Sequence, residues 1–203
     1  MPTRGRPRSF DRDQALASAM RVFWTKGYAD TSMADLTEAM GINSPSLYAA
    51  FGNKEQLFRE AVQLYEQSNS GVLCSAMASA TAREAMEAVL MATAGAADVE
   101  DRPTGCLVAL SAAHPDALPP AACDDIRQIR ESTIATTETR LRQGRDAGEI
   151  APDADLKAMA AFYATVQQGM AFRARNGATA DELRGTARAA MLAWDGLAGL
   201  RRS

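Results

Sequence analysis

Apolar residues in the first third of the chain recur at the spacing of α-helices and are separated by short polar turns. Leu16, Ala19 and Phe23 lie three or four positions apart, and Gly27 follows where such a helix would end. Asp11 is placed to cap this first helix, and the pattern restarts after three further residues that commonly cap helices, which are Ser32, Asn43 and Asn53. We therefore predict three helices and the start of a fourth within residues 10–67.

Residues 41–54 carry the most specific signal in the sequence. Gly41 is placed to end the second predicted helix, and Asn43 to cap the third. Leu47 and Phe51 lie four residues apart and would face the core together. Because the turn between these two helices is so short, the pattern predicts a helix-turn-helix.

Beyond residue 67 the chain becomes rich in alanine, and helices are predicted with breaks near residues 98–104 and 114–120. No alternating pattern indicates a β-strand, so the predicted fold is all-α. The last two predicted helices carry seams with steps of three and four residues, which are typical of helix-on-helix packing. The seams fit a dimeric four-helix bundle, and they fit an intramolecular bundle too. They consist of Leu156, Met159, Tyr163, Val166 and Met170, and of Leu183, Ala187, Ala190, Trp194 and Leu197.

Charge is distributed unevenly along the chain. The formal net charge is −3, but residues 1–28 hold six basic and two acidic side chains, a net +4, which leaves −7 for the rest. A basic head on an acidic body directs a polyanion to one end. The alternative is that these arginines only solubilise a loose terminus.

The remaining composition narrows the class of protein further. Three cysteines without metal-type spacing fit free thiols in a reducing cytosol. No apolar run approaches the ~20 residues of a membrane span. A single histidine excludes most Ser-His-Asp and multi-histidine metal sites, and there is no phosphate loop. We therefore expect a cytoplasmic protein that is not an enzyme and holds no cofactor or metal.

The third predicted helix has side chains suited to DNA. Base edges are reached from the N-terminal part of such a helix, here by Ser44, Pro45, Ser46 and Ala49. Tyr48 lies where a phenol can bond a phosphate, and Ser32 and Lys54 occupy the first turns of the flanking helices. A short basic arm that suits a minor groove is formed by Arg4, Arg6 and Arg8. The alternative is that the serines are only caps, Tyr48 covers a small core and Lys54 is solvent-exposed.

Residues 10–65 closely resemble the DNA-binding domain of the TetR family of bacterial transcriptional regulators. The resemblance is carried by residues 23–28, 31–36 and 41–48, together with Phe51, Asn53, Lys54 and Leu57. It implies that Tyr48 and Lys54 contact phosphates, that Ser44, Pro45 and Ala49 face bases, and that Ser32 begins a helix touching the backbone. Some members have larger side chains where this chain has Ala49 and Ala50, so Met33 and the arginine arm gain importance. Asn43 completes the predicted DNA-binding set.

The resemblance also implies a helical C-terminal domain that dimerises through its last two helices and holds a small-molecule pocket. Such pockets are mostly apolar with a few polar groups. The candidate lining residues are Met77, Met86, Leu107, Leu110, His114, Ile129, Thr133, Tyr163 and Gln167.

Three segments and one function are therefore predicted. Residues 1–9 form a flexible basic arm, 10–67 a helix-turn-helix domain, and 68–203 a helical domain for ligand binding and dimerisation. The predicted function is a ligand-responsive repressor that binds a palindromic operator in double-stranded DNA as a homodimer. The alternatives are a transcriptional activator, a ligand-independent DNA binder, or a helical enzyme or carrier that binds a small molecule.

Overall fold

The computed structural model describes residues 10–200, which are helical through most of their length. Short 3-10 turns occur at Ala96–Asp98 and Pro115–Ala117. In chain order, the α-helices are α1 (Arg12–Lys26), α2 (Met33–Met40), α3 (Ser44–Phe51), α4 (Lys54–Met77), α5 (Ala82–Gly95), α6 (Leu107–Ala112), α7 (Pro120–Asp146), α8 (Leu156–Arg175), α9 (Ala180–Met191) and α10 (Trp194–Leu197). The all-α prediction is confirmed.

The first four helices begin where the capping residues predicted. Asp11, Ser32, Asn43 and Asn53 each accept hydrogen bonds from backbone amides of the first turn that follows them. The caps of α2 and α4 are reciprocal, because the residue three positions on also accepts from the cap's own amide. The sequence therefore sets the starts of these helices through local hydrogen bonds.

Helices α1 to α4 enclose an apolar core. Phe23, Leu36, Leu47 and Phe58 are fully buried in it. The same cluster continues into α6 and the start of α7 through Leu107, Val108, Ala122 and Ile126. The helix-turn-helix core is thus packed directly against the helices that follow it.

A second core lies among α5, α7, α8 and α9, where Leu90, Met159, Leu183 and Trp194 are buried. Helix α4 runs without a break across residue 67 and packs on both α1 and α5. One continuous helix therefore joins the two halves of the chain.

The prediction of a single last helix through residue 197 was wrong. Helix α9 ends at Met191, and α10 begins only at Trp194. At the junction the amides of Leu192 and Ala193 donate to carbonyls three residues back, which is a tighter turn than the α-helix. Leu192 is 77% exposed as a result.

The two apolar seams lie largely inside the protomer, where most of their side chains pack in an intramolecular bundle. Their assignment to a dimer interface stays a prediction. Seven seam residues are buried: Leu156, Met159, Tyr163, Met170, Leu183, Ala187 and Trp194. Three are half-buried and pack against the same core: Val166, Ala190 and Leu197. Within residues 10–200, none of the helices is long and apolar enough to cross a membrane.

Candidate nucleic-acid interface

The turn between α2 and α3 is built by one glycine and one asparagine. Gly41 adopts the left-handed conformation, with φ 64° and ψ 29°. Its amide donates to the carbonyl of Glu38, and the next amide, of Ile42, donates to that of Thr37 at 3.2 Å. This pair of bonds is the Schellman arrangement that ends helices at glycine. Asn43 then caps α3, so three residues turn the chain from one helix into the next.

Helix α3 has one buried face and one exposed face. Leu47 and Phe51 are 0% and 2% exposed and anchor the helix on α1, α2 and α4. Tyr48 is 51% exposed, and the neighbouring positions at the N-terminal end of the helix are also open. The exposed side chains are Asn43, Ser44, Pro45, Tyr48 and Ala49, with Ser46 half-buried beside them. The structure thus brings the predicted groove-facing residues together on one surface.

Asn43 and Ser32 have structural duties at the helix starts. Asn43 Oδ1 accepts from the amide of Ser46 at 2.9 Å. The Ser32 hydroxyl accepts from the amide of Asp35 at 3.1 Å and donates to the Asp35 carboxylate at 2.8 Å. The Ser32 hydroxyl is therefore occupied by the capping box of α2, while the half-buried Met33 packs beside it on the core.

Asp35 also joins α1 to α2. Lys26 Nζ lies 2.7 Å from Asp35 Oδ1. The hydrogen bond from Lys26, followed by those from the amide and hydroxyl of Ser32, holds the pKa of the Asp35 carboxyl well below its usual range. The charge of Lys26 is therefore already used within the domain.

Arg12 has a role that the sequence analysis missed, because nothing near it in the chain announces its partners. Its Nη2 donates to Glu60 Oε2 at 2.6 Å and to the carbonyl of Ala50 at 3.3 Å. The guanidinium also lies 4.4 Å from the centroid of the Phe51 ring. Arg12 thus ties the start of α1 to the end of α3 and to α4.

Two of the three basic side chains that the structure describes in the basic head are paired with carboxylates. Arg12 pairs with Glu60 and Lys26 pairs with Asp35, whereas Arg21 donates to the carbonyl of Asp101 and keeps its charge. The charges of Arg12 and Lys26 are therefore offset within the fold. The predicted arm of Arg4, Arg6 and Arg8 lies outside the described residues.

Lys54 differs from the other cations of this region. Residues 10–67 contain five basic side chains, and three are used as described above. A fourth, Arg59, pairs with Asp125 through its Nε at 2.5 Å and its Nη2 at 3.2 Å. Lys54 instead lies over the ring of Tyr28, with Nζ 4.4 Å from the ring centroid. Among residues 10–67 it is the cation whose charge meets neither a carboxylate nor a carbonyl.

Burial shifts the titration of both members of this contact. Partial burial lowers the pKa of Lys54, and the nearby charge of Asp30 opposes that effect. Burial also raises the pKa of the Tyr28 phenol, and the charge of Glu55 adds to the rise. The contact thus places the Lys54 side chain over the Tyr28 ring at the start of α4, the helix that follows α3.

Side chains from both halves of the chain meet at α1 and α4. Arg102 Nη2 donates to Asn69 Oδ1 at 2.7 Å, and its guanidinium lies 5.0 Å from the Trp24 ring. Arg175, at the end of α8, donates to the carbonyl of Thr25 at the end of α1. The positions of α1 and α4 are thus linked to α8 and to the loop before α6.

The predicted pocket residues are divided between the two cores. Leu107, Leu110 and Ile129 pack in the first core, while Met77, Met86 and Tyr163 pack in the second, and His114 is exposed. Thr133 Oγ1 donates to the carbonyl of Ile129, and Gln167 Nε2 donates to Thr93 Oγ1. Six of the nine residues therefore pack in the two cores, and the set as a ligand pocket stays a prediction.

A groove of about 490 Å³ lies instead between the second half of α4 and α7. Only Met77 of the predicted residues lines it. The lining residues are Cys74, Met77, Ala78, Ser132, Ala135, Thr136, Thr139, Arg140 and Gln143. In the second core, the hydroxyl of Tyr163 is buried without a hydrogen-bond partner, and burial raises its pKa to about 12.

Two family models match the chain. Residues 15–61 match the model described as "Bacterial regulatory proteins, tetR family", and residues 82–191 match "Tetracyclin repressor-like, C-terminal domain". The chain is 36% identical to the HTH-type transcriptional repressor ComR of Escherichia coli K12, over 95% of this chain and 92% of that one.

Solved structures agree with these matches. A cysteine mutant of the TetR family transcriptional regulator CifR, in complex with a 26-base-pair double-stranded operator, is 39% identical. The match covers 93% of this chain and 100% of that one, with a TM-score of 0.87. A second operator complex of a CifR mutant is 40% identical, with a TM-score of 0.86, and covers 94% and 100% of the two chains.

Proposed function

Because the chain belongs to the TetR family of bacterial regulatory proteins, we propose that it is a repressor that binds a symmetric DNA operator as a homodimer. The observation that carries this proposal is the exposed face of α3, which is anchored from behind by Leu47 and Phe51. The operator complexes of CifR support it, since that regulator is similar over nearly the whole chain. We also propose that it acts in the cytoplasm, as a regulator and not as an enzyme.

Each exposed side chain of α3 has a proposed task. Ser44, Pro45, Ser46 and Ala49 face base edges in the major groove, where hydroxyls read several bases and Pro45 suits a thymine methyl. Tyr48 and Lys54 bind phosphates on either side. The side-chain nitrogen of Asn43 is available to the DNA backbone, because only the side-chain oxygen is used to cap α3.

Helix α2 approaches the backbone through its start. The Ser32 hydroxyl is committed to Asp35, so we propose contact through the open first-turn amides of Met33 and Ala34. The arm of Arg4, Arg6 and Arg8 adds minor-groove contacts. Because the side chains proposed to contact bases are small, the specificity for a DNA sequence depends on the two α3 helices, the arm and the distance between half-sites together.

A homodimer would use the face of α8 and α9 that points away from the protomer core. On α8 this face contains Ala161, Thr165 and Gly169, and beyond α9 it contains Leu192. Small side chains allow helices to approach closely, and an exposed leucine gains from burial. Two α3 helices held by such a dimer would reach successive major grooves.

We further propose that residues 10–67 act as the DNA-binding domain and 68–203 as the domain for dimerisation and effector binding. The groove between α4 and α7 is the proposed access point for a small molecule, since its volume falls within the range of ligand sites. A ligand that moves α4 against α7 would shift α3 through the ion pair of Arg59 with Asp125.

The test begins with a selection of duplexes from a random DNA library by the full-length protein. We expect a two-fold symmetric sequence to be enriched, and a reporter placed behind it to be transcribed less when the protein is present. The proposal is wrong if no sequence is enriched. Increased transcription would favour the activator alternative.

The proposed contacts are tested on the selected duplex with Tyr48→Phe combined with Lys54→Ala. We expect at least tenfold weaker binding in fluorescence anisotropy, with an unchanged circular dichroism spectrum and unchanged sedimentation. Arg127→Ala on the exposed face of α7 is the matched control, because it also removes one positive charge. If both variants lost the same affinity for the duplex, the loss would come from the change in net charge, and the proposed contacts would be wrong.

A further inference from the structure

Lys54 has an unusual neighbour for a phosphate-binding lysine. Its ammonium does not point freely into solvent, because Nζ lies 4.4 Å from the centroid of the Tyr28 ring. This distance is well inside the range at which a cation is attracted by the face of an aromatic ring. Tyr28 belongs to the loop between α1 and α2, whereas Lys54 is the first residue of α4. The contact therefore joins two segments on either side of the helix-turn-helix.

The Tyr28 ring is itself held rigidly. It is stacked on Phe23 at 6.2 Å between centroids and meets Phe58 edge-on at 5.1 Å. Phe23 and Phe58 are both fully buried and contact one another. The ring that carries Lys54 is thus fixed to the centre of the domain core, so it provides a platform with a defined position relative to α3.

A fixed platform matters because lysine is a flexible side chain. A lysine free in solvent loses rotamer freedom when it binds a phosphate, which weakens the interaction. An ammonium already resting on a ring has lost part of that freedom in the unbound protein. The ring carries no formal charge, so it does not neutralise the ammonium. The open side of the ammonium therefore remains available to an anion, whereas a carboxylate partner would offset its charge.

We propose that Tyr28 is a positioning residue for DNA binding, whose ring holds the Lys54 ammonium where α4 meets the phosphate backbone. The proposal rests on the proposed function, since it requires Lys54 to contact DNA. The aromatic ring of Tyr28 positions the ammonium, and the phenol hydroxyl has no role in this. Two such contacts act in a symmetric dimer, so an effect of a few-fold in each protomer is squared.

The binding test is a double-mutant cycle on the selected duplex, with Tyr28→Leu, Lys54→Ala and the combined variant. We expect Tyr28→Leu to weaken binding by about five- to tenfold, and to have no further effect once Lys54 is alanine. Tyr28→Phe keeps the ring and is the matched control, with an affinity expected within twofold of the wild type. Equal losses from Tyr28→Leu in both backgrounds, or from Tyr28→Phe and Tyr28→Leu, would overturn the proposal.

A second measurement is independent of DNA and detects the contact itself. The chain has only three lysines, Lys26, Lys54 and Lys157, so selective ¹³C-lysine labelling gives a simple NMR spectrum. We expect the ε-methylene signal of Lys54, identified by its loss in Lys54→Ala, to be shifted upfield by the ring. The shift should persist in Tyr28→Phe and vanish in Tyr28→Leu. An unshifted signal in the wild type would refute the placement.

The two measurements separate the inference from the function on which it rests. If Lys54→Ala binds the duplex as tightly as the wild type while the upfield shift is present, the phosphate contact is wrong and Tyr28 has no task in binding. If Lys54→Ala weakens binding while Tyr28→Leu does not, the proposed function stands and the positioning role fails.

Discussion

Helices α3 and α8 carry similar apolar stripes, but the candidate partner surface was placed opposite the stripe in α3 and on the stripe itself in α8. In α3 the stripe of Leu47 and Phe51 is buried, and the opposite face holds the candidate DNA contacts. In α8 the stripe that contains Met159 and Tyr163 is equally buried, although its regularity suggested a surface for a second copy. In both helices the apolar periodicity marks the side that packs within the protomer.

A partner can therefore contact the face opposite the apolar stripe, and the apolar pattern alone does not identify the residues of that face. In α3 the turn at Gly41 and the cap at Asn43 fix where the helix starts, so its outward residues can be read from the sequence. Asp155 caps α8 in the same way, but a cap fixes only where a helix starts and not which helices cover its flanks. The outward face, with Ala161, Thr165 and Gly169, emerges only from the packed structure.

The largest effect is expected from the buried face of α3. Leu47→Ala removes a side chain with no exposed area and leaves a cavity among four helices. The cost is expected to be about 2–5 kcal/mol of unfolding free energy, measured by urea denaturation. Ser44→Ala on the exposed face should leave stability within about 0.5 kcal/mol. Similar stabilities of the two variants would contradict the division of α3 into two faces.

How far the sequence predicts this molecule follows the same division. The starts of α1 to α4 were predicted correctly because Asp11, Ser32, Asn43 and Asn53 act on amides two or three residues away. The proposed groove-facing residues could be named because they follow from these starts. Interactions between distant segments could not, since neither Arg12 with Glu60 nor Lys54 with Tyr28 leaves any trace in local spacing.

The C-terminal half was predicted at the level of its helices and less well at the level of surfaces. The helical pattern of residues 183–197 continued without a stop signal, although the chain tightens at Leu192. The apolar residues proposed for a pocket fall into two separate cores, because helical periodicity does not specify which helices come together. Packing decides that, through shape and volume along the whole chain.

The second prediction concerns the outward face of α8 and α9. Leu192→Glu places a charge on a side chain that is 77% exposed, so the fold of the protomer should not change. If this face forms the dimer, the charge is buried on association, and we expect at least tenfold weaker dimerisation in sedimentation velocity. Val72→Glu on α4, where the valine is 55% exposed, is the matched control. Dissociation by Val72→Glu but not by Leu192→Glu would place the interface elsewhere.

A smaller effect is expected from Arg12, which fixes the end of α3. Arg12→Ala removes the ion pair to Glu60 and the hydrogen bond to Ala50, both partly shielded from solvent. After allowance for screening, the expected cost is about 1 kcal/mol of unfolding free energy in urea denaturation. Arg83→Ala is the comparison in the other half, because Arg83 pairs with Asp195 at an exposed position. Its cost should be smaller, and the reverse order would show that Arg12 does not anchor α3.

The smallest effect compares two capping carboxylates under acid. Asp35 in α2 and Glu182 in α9 both have a lowered pKa. For Asp35 the main cause is the hydrogen bond from Lys26, and for Glu182 it is the amide of Thr179. A lowered pKa in the folded state means that the ionised group stabilises the fold above its unfolded pKa of about 4. This stabilisation is lost as the pH falls toward the pKa of the folded state.

In urea denaturation, Asp35→Asn and Glu182→Gln should therefore differ most from the wild type in unfolding free energy above pH 5 and converge with it below pH 4. The Asp35 difference should be the larger one and should shrink more in 1 M salt, since Lys26 is paired directly with Asp35, whereas the charge of Arg173 is the smallest contribution at Glu182.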